Sequence, residues 1–326
     1  MKRSSIVLGV LAAWTIAVWP AVSPAQTHYP TRAIKMIVPF AAGGVVDVIG
    51  RLWADKMKPL LGTVVIENQG GASGSIGATE VARAAPDGYT LLLGNTSTQI
   101  LNPAIMAQPP YDPAKDFVAI GIIANSAISI GVHPSVPAKN LPELIAYIKA
   151  NAGKVPYGTA GAGTFTHLAG EMFKQMAGTH DVTHIPYRGG GPVIADVVSG
   201  HIPMMVINIT NHVIELHKTG KIRLIAVFTS KPLMILPDVP VAAETLQGLV
   251  AALFIGVFAP AATPKAVIDH IATAQRAAIA SEEFKRKLAS SGFEPVSDTP
   301  EEAQRFVTEE RARIIPLAKS LGFQLK

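Results

Sequence analysis

The sequence predicts an α/β protein of two lobes, each with a mostly parallel sheet flanked by helices. From residue 34 onward, short runs rich in Val and Ile alternate with longer stretches of helical period. Glycine and proline mark the breaks between these runs, as they do in βαβ units. A chain of 326 residues is also longer than one hydrophobic core ordinarily supports, which favours two lobes.

The composition excludes several functional classes. With 49% hydrophobic and 16% charged residues the chain is not of the disordered type. It has no cysteine, which excludes thiolate nucleophiles, cysteine zinc sites and iron–sulfur clusters. The net charge of +5 falls to +3 without Lys2 and Arg3, and no basic stripe with interleaved aromatics is visible, so no nucleic-acid partner is expected.

Residues 1–25 are predicted to be a signal peptide. Lys2 and Arg3 precede an apolar run over residues 6–18, and Ser23 and Ala25 supply small residues at positions −3 and −1 of a cleavage site. The run is shorter than the roughly 20 residues of a spanning helix, the alternative interpretation. We therefore expect cleavage near Ala25 and export to the periplasm.

The first block of the mature chain is predicted to alternate strands and helices. The strands are expected at residues 34–40, 64–66 and 89–93, and the helices at residues 47–61 and 78–84. Gly62 is placed to end the first helix, and residues 70–77 form a glycine-rich loop.

A second block repeats the pattern from residue 141. Helices are expected at residues 141–150 and 167–176 and from 189–192 onward, and strands at residues 155–157, 182–187, 202–207 and 222–227. The chain then becomes helical again, and Thr263-Pro264 and Thr299-Pro300 each offer a capping hydroxyl followed by proline.

This order of segments predicts that the chain crosses between the lobes twice. The apolar runs 120–132 and 250–258 are the expected crossing strands. The first lobe is then discontinuous, with residues 26–126 and 254–326, and the second lobe holds residues 127–253.

Two glycine-containing loops are the main candidates for a binding site. The first-lobe loop, residues 40–47, leads from a strand into a helix, where backbone amides and the helix dipole favour an anion. The second-lobe loop, residues 158–164, repeats this arrangement and adds hydroxyl groups. Residues 95–98 and 189–192 also follow predicted strands, at whose carboxyl ends open α/β sheets bind ligands. Each loop alone is also compatible with an ordinary βα turn.

Signatures of enzymes and metal sites are incomplete. Residues 161–166 lack the last glycine of a dinucleotide fingerprint, and residues 71–75 lack the closing glycine of a nucleophile elbow. His180 and His184 are four residues apart at a predicted strand, residues 182–187, where that spacing covers about 13 Å instead of one helical face, so they do not predict a metal site. His167 either contacts a ligand or packs, and Asp47 is expected to cap its helix because an acid there would repel an anion. No catalytic residue, metal or cofactor is predicted.

Several motifs follow one another along the mature chain. They are Glu67-Asn68, Pro86-Asp87-Gly88-Tyr89, Tyr111-Asp112-Pro113, His167-Leu168-Ala169-Gly170-Glu171, Pro186-Tyr187-Arg188-Gly189 and Leu236-Pro237-Asp238-Val239-Pro240. In this order they resemble the solute-binding receptors of tripartite tricarboxylate transporters, the Bug or TctC-like family.

The resemblance implies a two-lobed periplasmic binding protein of the type II class. Such a monomer closes on a small organic acid, either a di- or tricarboxylate or an aromatic carboxylate, and delivers it to the membrane permease subunits of the transporter. Two alternatives stay open: a receptor that docks on a sensor protein, and an exported hydrolase using Ser73 or His167.

The loops and the resemblance together predict a set of ligand-binding residues. They are Phe40, Ala42, Gly43, Gly44, Asp47, Thr96, Ser97, Thr159, Ala160, Gly161, Gly163, Thr164, Phe165, His167, Tyr187, Gly190, Ile207 and Asn208. Family members often have a small polar residue in place of Phe165 and an acid in place of Ile207. We therefore expect an apolar or aromatic carboxylate rather than an amino acid.

Overall fold

A computed structural model describes residues 29–324, and the predicted signal peptide lies outside this part of the chain. The strands are β1 (Ile34–Val38), β2 (Val64–Asn68), β3 (Thr90–Asn95), β4 (Phe117–Val132), β5 (Tyr157–Thr159), β6 (His184–Pro186), β7 (Met204–Asn208), β8 (Arg223–Val227), β9 (Ala252–Pro260) and β10 (Phe293–Pro295). The helices are α1 (Val45–Leu61), α2 (Ser75–Ala82), α3 (Asn102–Ile105), α4 (Pro113–Asp116), α5 (Leu141–Ala150), α6 (Phe165–Ala177), α7 (Gly190–Val198), α8 (Asn211–Lys218), α9 (Lys265–Ala280), α10 (Glu282–Ser290) and α11 (Pro300–Ser320). A π-helical turn, Ser97–Leu101, follows β3.

Two mixed sheets share strand β4, and the predicted α/β class is confirmed. In the first sheet β1 pairs in parallel with β2 and β3, and in the second β5 pairs in parallel with β6 and β7. The pairs that involve β4 and β9 are antiparallel. A parallel core in each lobe therefore follows from the βαβ pattern, and the crossing strands add the antiparallel part.

Strand β4 passes from one sheet to the other at Ala127. Before this point it pairs with β9, and from Ile128 onward with β7 and β8. At the transition the Ile128 amide donates to the Ala251 carbonyl (3.4 Å), and the Phe228 amide donates to the Ile128 carbonyl (2.8 Å). The backbone connections between the lobes thus meet at one place, which is the natural position of a hinge. The exact lobe boundaries stay a prediction.

Several helix ends follow the local signals of the sequence. Thr299 and Glu302 form a reciprocal capping box at the start of α11, and Gly62 and Gly178 end α1 and α6 with positive φ. The expected cap by Thr263 is wrong, because α9 begins at Lys265 without a side-chain cap and the buried Thr263 hydroxyl has no hydrogen-bond partner.

The C-terminal helices pack against the first block of the chain. The buried Trp53 indole of α1 donates to the Gln275 side chain of α9 (3.1 Å), and the Gln275 amide in turn donates to the Ile122 carbonyl of β4 (3.4 Å). This packing supports the prediction that the first lobe contains both ends of the mature chain.

Candidate ligand-binding site

A cavity lies between the two lobes on the side where the parallel strands end. Counting space that is open to solvent, about 470 Å³ there is free of protein atoms, and about 30 Å³ of it can hold the centre of a water molecule. The lining residues are Phe40, Gly44, Val45, Val46, Asn95, Ser97, Ala160, Thr164, Thr166, Gly190, Ile194, Ile207, Asn208, Thr210 and Leu253. None of these residues of the described chain carries a formal charge.

Four helices begin at this cavity. The first turn of α1 contributes Val45 and Val46, and the N-caps of α6 and α8 contribute Thr164 and Thr210. The first residue of α7, Gly190, lies beside them. The first amides of a helix have no intrahelical acceptor, and the helix dipole places partial positive charge there. The cavity is therefore electropositive without any cationic side chain, a setting that suits an anion.

The first-lobe loop is held in shape by the Asp47 carboxylate. This buried group accepts hydrogen bonds from the Gly43 amide (2.9 Å) and the Asn68 side chain (3.0 Å), and it forms an ion pair with Arg51 (2.9 Å). Burial alone would raise the pKa of Asp47, but the hydrogen bonds from Arg51, Gly43 and Asn68 lower it below its usual value. The ionised carboxylate is thus fully hydrogen-bonded within the loop and does not line the cavity. The expected capping role is wrong, because α1 begins at Val45 after the N-cap Gly44 without a side-chain cap, and Asp47 lies in its first turn.

Polar side chains of both lobes complete the cavity. The Ser97 hydroxyl oxygen accepts from the Phe165 amide of the other lobe (2.9 Å), so its hydrogen remains available for a ligand oxygen. The Asn208 side chain donates to the Ser126 carbonyl (3.3 Å). Phe40, Ile194, Ile207 and Leu253 cover the rest of the wall with apolar surface. The site therefore combines hydrogen-bond donors for an anionic group with an apolar space for the rest of the ligand.

The lobes contact each other around the cavity. The Ala41 amide donates to the Arg188 carbonyl (3.0 Å), and the Ser73 hydroxyl donates to the Ala162 carbonyl. Gly44 and Gly190 also face each other, since a Cβ on Gly44 would lie 3.2 Å from the Gly190 nitrogen. The described conformation is therefore the closed one.

Part of the predicted ligand set lines this cavity. These residues are Phe40, Gly44, Ser97, Ala160, Thr164, Gly190, Ile207 and Asn208. Their contact with a ligand stays a prediction.

The other predicted residues are not among those that line the cavity. They are Ala42, Gly43, Asp47, Thr96, Thr159, Gly161, Gly163, Phe165, His167 and Tyr187. The Thr96 hydroxyl accepts from the Phe254 amide, and the Tyr187 hydroxyl donates to Asp196 (2.6 Å). Phe165 is buried in the core and contributes no surface to the cavity. These residues shape the loops that carry the wall.

Seven lining residues are absent from the predicted ligand set: Val45, Val46, Asn95, Thr166, Ile194, Thr210 and Leu253. Of these, Val45, Val46 and Asn95 lie within the candidate segments 40–47 and 95–98, whereas the other four lie outside every candidate segment. Val45 and Val46 reach the cavity because α1 begins at Val45, two residues before the predicted start at residue 47. Thr210 could have been found as a capping residue, since its hydroxyl accepts from the Val213 amide (3.3 Å). Ile194 and Leu253 have no local signal, because the tertiary fold alone brings them to the cavity.

The structure shows no catalytic arrangement at Ser73 or His167, the two candidate residues of the hydrolase alternative. The Ser73 hydroxyl donates to a backbone carbonyl, and the His167 Nδ1 atom accepts from the Gly163 amide (3.1 Å). Neither group therefore has the nucleophile–base pairing that such chemistry needs. In the described part of the chain, no group of three or more acidic or histidine side chains is arranged to hold a metal ion.

Fold and cavity together define a two-lobed solute-binding protein. The chain belongs to the tripartite tricarboxylate transporter receptor family, TctC, whose family model matches residues 49–323. Protein BugT of Bordetella pertussis is 32% identical to it over 100% of this chain and 99% of that protein. A protein from the TAR-I ttuE-ttuC′ intergenic region of Agrobacterium vitis is 33% identical over 98% of this chain and 92% of its own length.

Solved structures of related proteins have the same fold. The periplasmic binding protein BugD is 34% identical, with a TM-score of 0.87 over 91% of this chain and 100% of that one. Rpa4515 of R. palustris, solved with adipate, is 33% identical, with a TM-score of 0.87 over 91% of this chain and 99% of that one. MatC of Rhodopseudomonas palustris, solved with malate, is 28% identical, with a TM-score of 0.83 over 89% of this chain and 99% of that one. The chain is thus a solute-binding receptor of a family of periplasmic binding proteins.

None of the helices in the described residues is both long enough and apolar enough to span a membrane.

Proposed function

We propose that this receptor captures a small organic carboxylate in the interlobe cavity of the periplasmic protein and delivers it, as a monomer, to the permease of a tripartite transporter. The convergence of four helix N-termini on an uncharged cavity carries this proposal. The adipate and malate that accompany two related structures support the same class of ligand.

The ligand proposed is a carboxylate with an apolar body and no ammonium group. An ammonium group buried in the cavity would need an anionic partner, and the lining residues include neither Asp nor Glu. Ile194, Ile207 and Leu253 instead favour methylene or aromatic carbons. An aliphatic dicarboxylate such as adipate combines both features, and an aromatic acid is the second choice.

Closure couples ligand capture to delivery. The ligand contacts groups of both lobes only when they are closed, so it shifts the hinge equilibrium toward the closed form. We propose that the permease recognises the surface formed by the two lobes in this closed state.

A thermal-shift screen tests the ligand class. The mature protein is unfolded and refolded to remove co-purified ligand and is then heated with pairs of acids that differ only in an ammonium group: succinate against aspartate, and glutarate against glutamate. Adipate and benzoate complete the set. A ligand at a hundred times its Kd stabilises by about 2.7 kcal/mol, which at roughly 2–4 °C per kcal/mol raises the melting temperature by several degrees.

We expect adipate or another acid without an amino group to raise the melting temperature, and its amino-acid counterpart to leave it unchanged. A larger shift with aspartate or glutamate would contradict the proposed ligand class. No shift with any carboxylate would contradict the proposed function itself.

A further inference from the structure

A stacked pair of histidines lies directly behind the second-lobe loop. His167 of α6 and His184 of β6 have ring centroids 3.7 Å apart and an interplanar angle of 12°. The His184 Nε2 atom is hydrogen-bonded to the Thr159 hydroxyl (2.6 Å), and the Gly163 amide donates to His167 Nδ1 (3.1 Å). The pair thus holds both ends of the segment 159–163, in which Ala160 lines the cavity.

The hydrogen bond from Gly163 fixes the protonation of His167. Its Nδ1 atom accepts and therefore carries no proton, so the neutral ring bears its hydrogen on Nε2. A proton on Nδ1 would turn this atom into a donor, and its N–H would then face the N–H of Gly163. The loop therefore depends on a neutral His167.

The surroundings of the pair also favour neutral rings. Glu171 Oε1 lies 3.7 Å from His167 Nε2, but it already accepts from Tyr157 (2.7 Å) and from Lys174 (3.0 Å). Burial and the charge of Lys174 lower the pKa of His167 to about 4. Burial, more than the neighbouring His167, lowers the pKa of His184 to about 3.

Aromatic groups close the remaining sides of the pair. The Phe323 ring, which follows α11, packs on His167 with a centroid distance of 4.6 Å, and the Tyr157 ring lies 5.1 Å from His184. Such packing leaves the imidazoles little freedom to turn, so the two anchors of the loop are rigid.

We propose that His167 and His184 are a positioning pair, which fixes the second-lobe loop in the shape that presents Ala160 and Thr164 to the ligand. Neither histidine lines the cavity, so the pair acts through the loop. The effect on affinity rests on the proposed binding function, whereas the effect on the loop is measurable without any ligand.

Two amide substitutions at residue 167 distinguish a role as hydrogen-bond acceptor for Gly163 from a role in filling space. In His167→Asn the side-chain oxygen takes the place of Nδ1 and can still accept from Gly163. In His167→Gln the amide reaches the place of Nε2 instead, and in His167→Ala both positions are empty. A purely structural role would rank these variants by lost volume and would make Gln the better replacement.

The first experiment measures amide hydrogen exchange of Gly163 by NMR in the full mature protein at pH 7. We expect the wild type and His167→Asn to protect this amide, and His167→Gln and His167→Ala to exchange about tenfold faster or more. Imidazole nitrogen shifts should show an unprotonated Nδ1 at residue 167 in the wild type. Equal exchange in all four proteins, or faster exchange in the Asn than in the Gln variant, would overturn the proposal.

The second experiment measures the Kd for adipate by calorimetry at pH 7. We expect His167→Asn to bind nearly as the wild type does, and His167→Gln to bind about tenfold more weakly. If the wild type does not bind adipate while Gly163 exchange still follows the expected order, the ligand choice is wrong and the positioning pair is supported. Unchanged affinity in the Gln variant, with Gly163 exposed, would overturn the role of the pair in binding.

Discussion

Gly191 offers a direct test of the contact between the lobes. It is the second residue of α7, and a Cβ built on it would lie 2.2 Å from the Ala42 carbonyl oxygen and 3.4 Å from Gly43 Cα, both in the first lobe. Gly191 is not among the glycines with positive φ, so alanine fits its backbone. We therefore predict that Gly191→Ala obstructs closure of the lobes.

The size of the effect follows from the geometry. Real Cβ contacts are essentially never shorter than 3.0 Å, so a distance of 2.2 Å requires the backbones to separate by at least 3.0 − 2.2 = 0.8 Å. Overpacking of this kind costs about 1–3 kcal/mol, and only the closed form bears it. The affinity should therefore fall by about 5- to 150-fold.

The assay pairs calorimetric titration with adipate and thermal unfolding without ligand. The unfolding measurement shows whether the variant keeps a stable fold when no closure is required. We expect weaker adipate binding for Gly191→Ala, with a melting temperature close to that of the wild type. Wild-type affinity in Gly191→Ala would refute the close approach of the lobes, and a lower melting temperature would refute the unstrained backbone.

Three further perturbations address the cavity, the first-lobe loop and the buried histidine. Ile207→Asp should weaken adipate binding by about tenfold or more through charge repulsion, while Ile207→Asn changes it less, as titration calorimetry can show. Asp47→Ala removes the acceptor of the Gly43 amide and should lower the free energy of unfolding by about 1–3 kcal/mol in urea titrations, whereas Asp47→Asn should lose less. The pKa of His167 is lowered to about 4 in the folded protein, whereas a histidine of the unfolded chain has a pKa of about 6.5. Below pH 6.5 the unfolded chain therefore binds more protons at this residue than the folded protein does. The contribution of a neutral His167 to the free energy of unfolding is therefore present above pH 6.5 and falls by roughly 2 kcal/mol between pH 6.5 and 5, and His184, with its pKa lowered to about 3, adds a loss of the same sign. Equal pH profiles for the wild type and His167→Asn in urea titrations would contradict a neutral His167.

Local signals in the sequence determined the elements and the position of the loops. The alternation of apolar runs predicted β1, β3, α1 and α6, and the glycines after α1 and α6 marked their ends. Such signals act over a few residues, through backbone conformation and capping, and can be read from the chain itself. The glycine-containing loops that begin α1 and α6 were found in this way.

Only the tertiary structure decided which groups face the cavity. His167 follows the second-lobe loop in sequence, yet it lies behind the wall because its ring accepts from Gly163 and stacks on His184. Ile194 and Leu253 come to the site from distant elements, and no local pattern marks them. Sequence determines where a strand or helix forms because those interactions are local, whereas the wall of a cleft depends on packing between residues far apart in the chain.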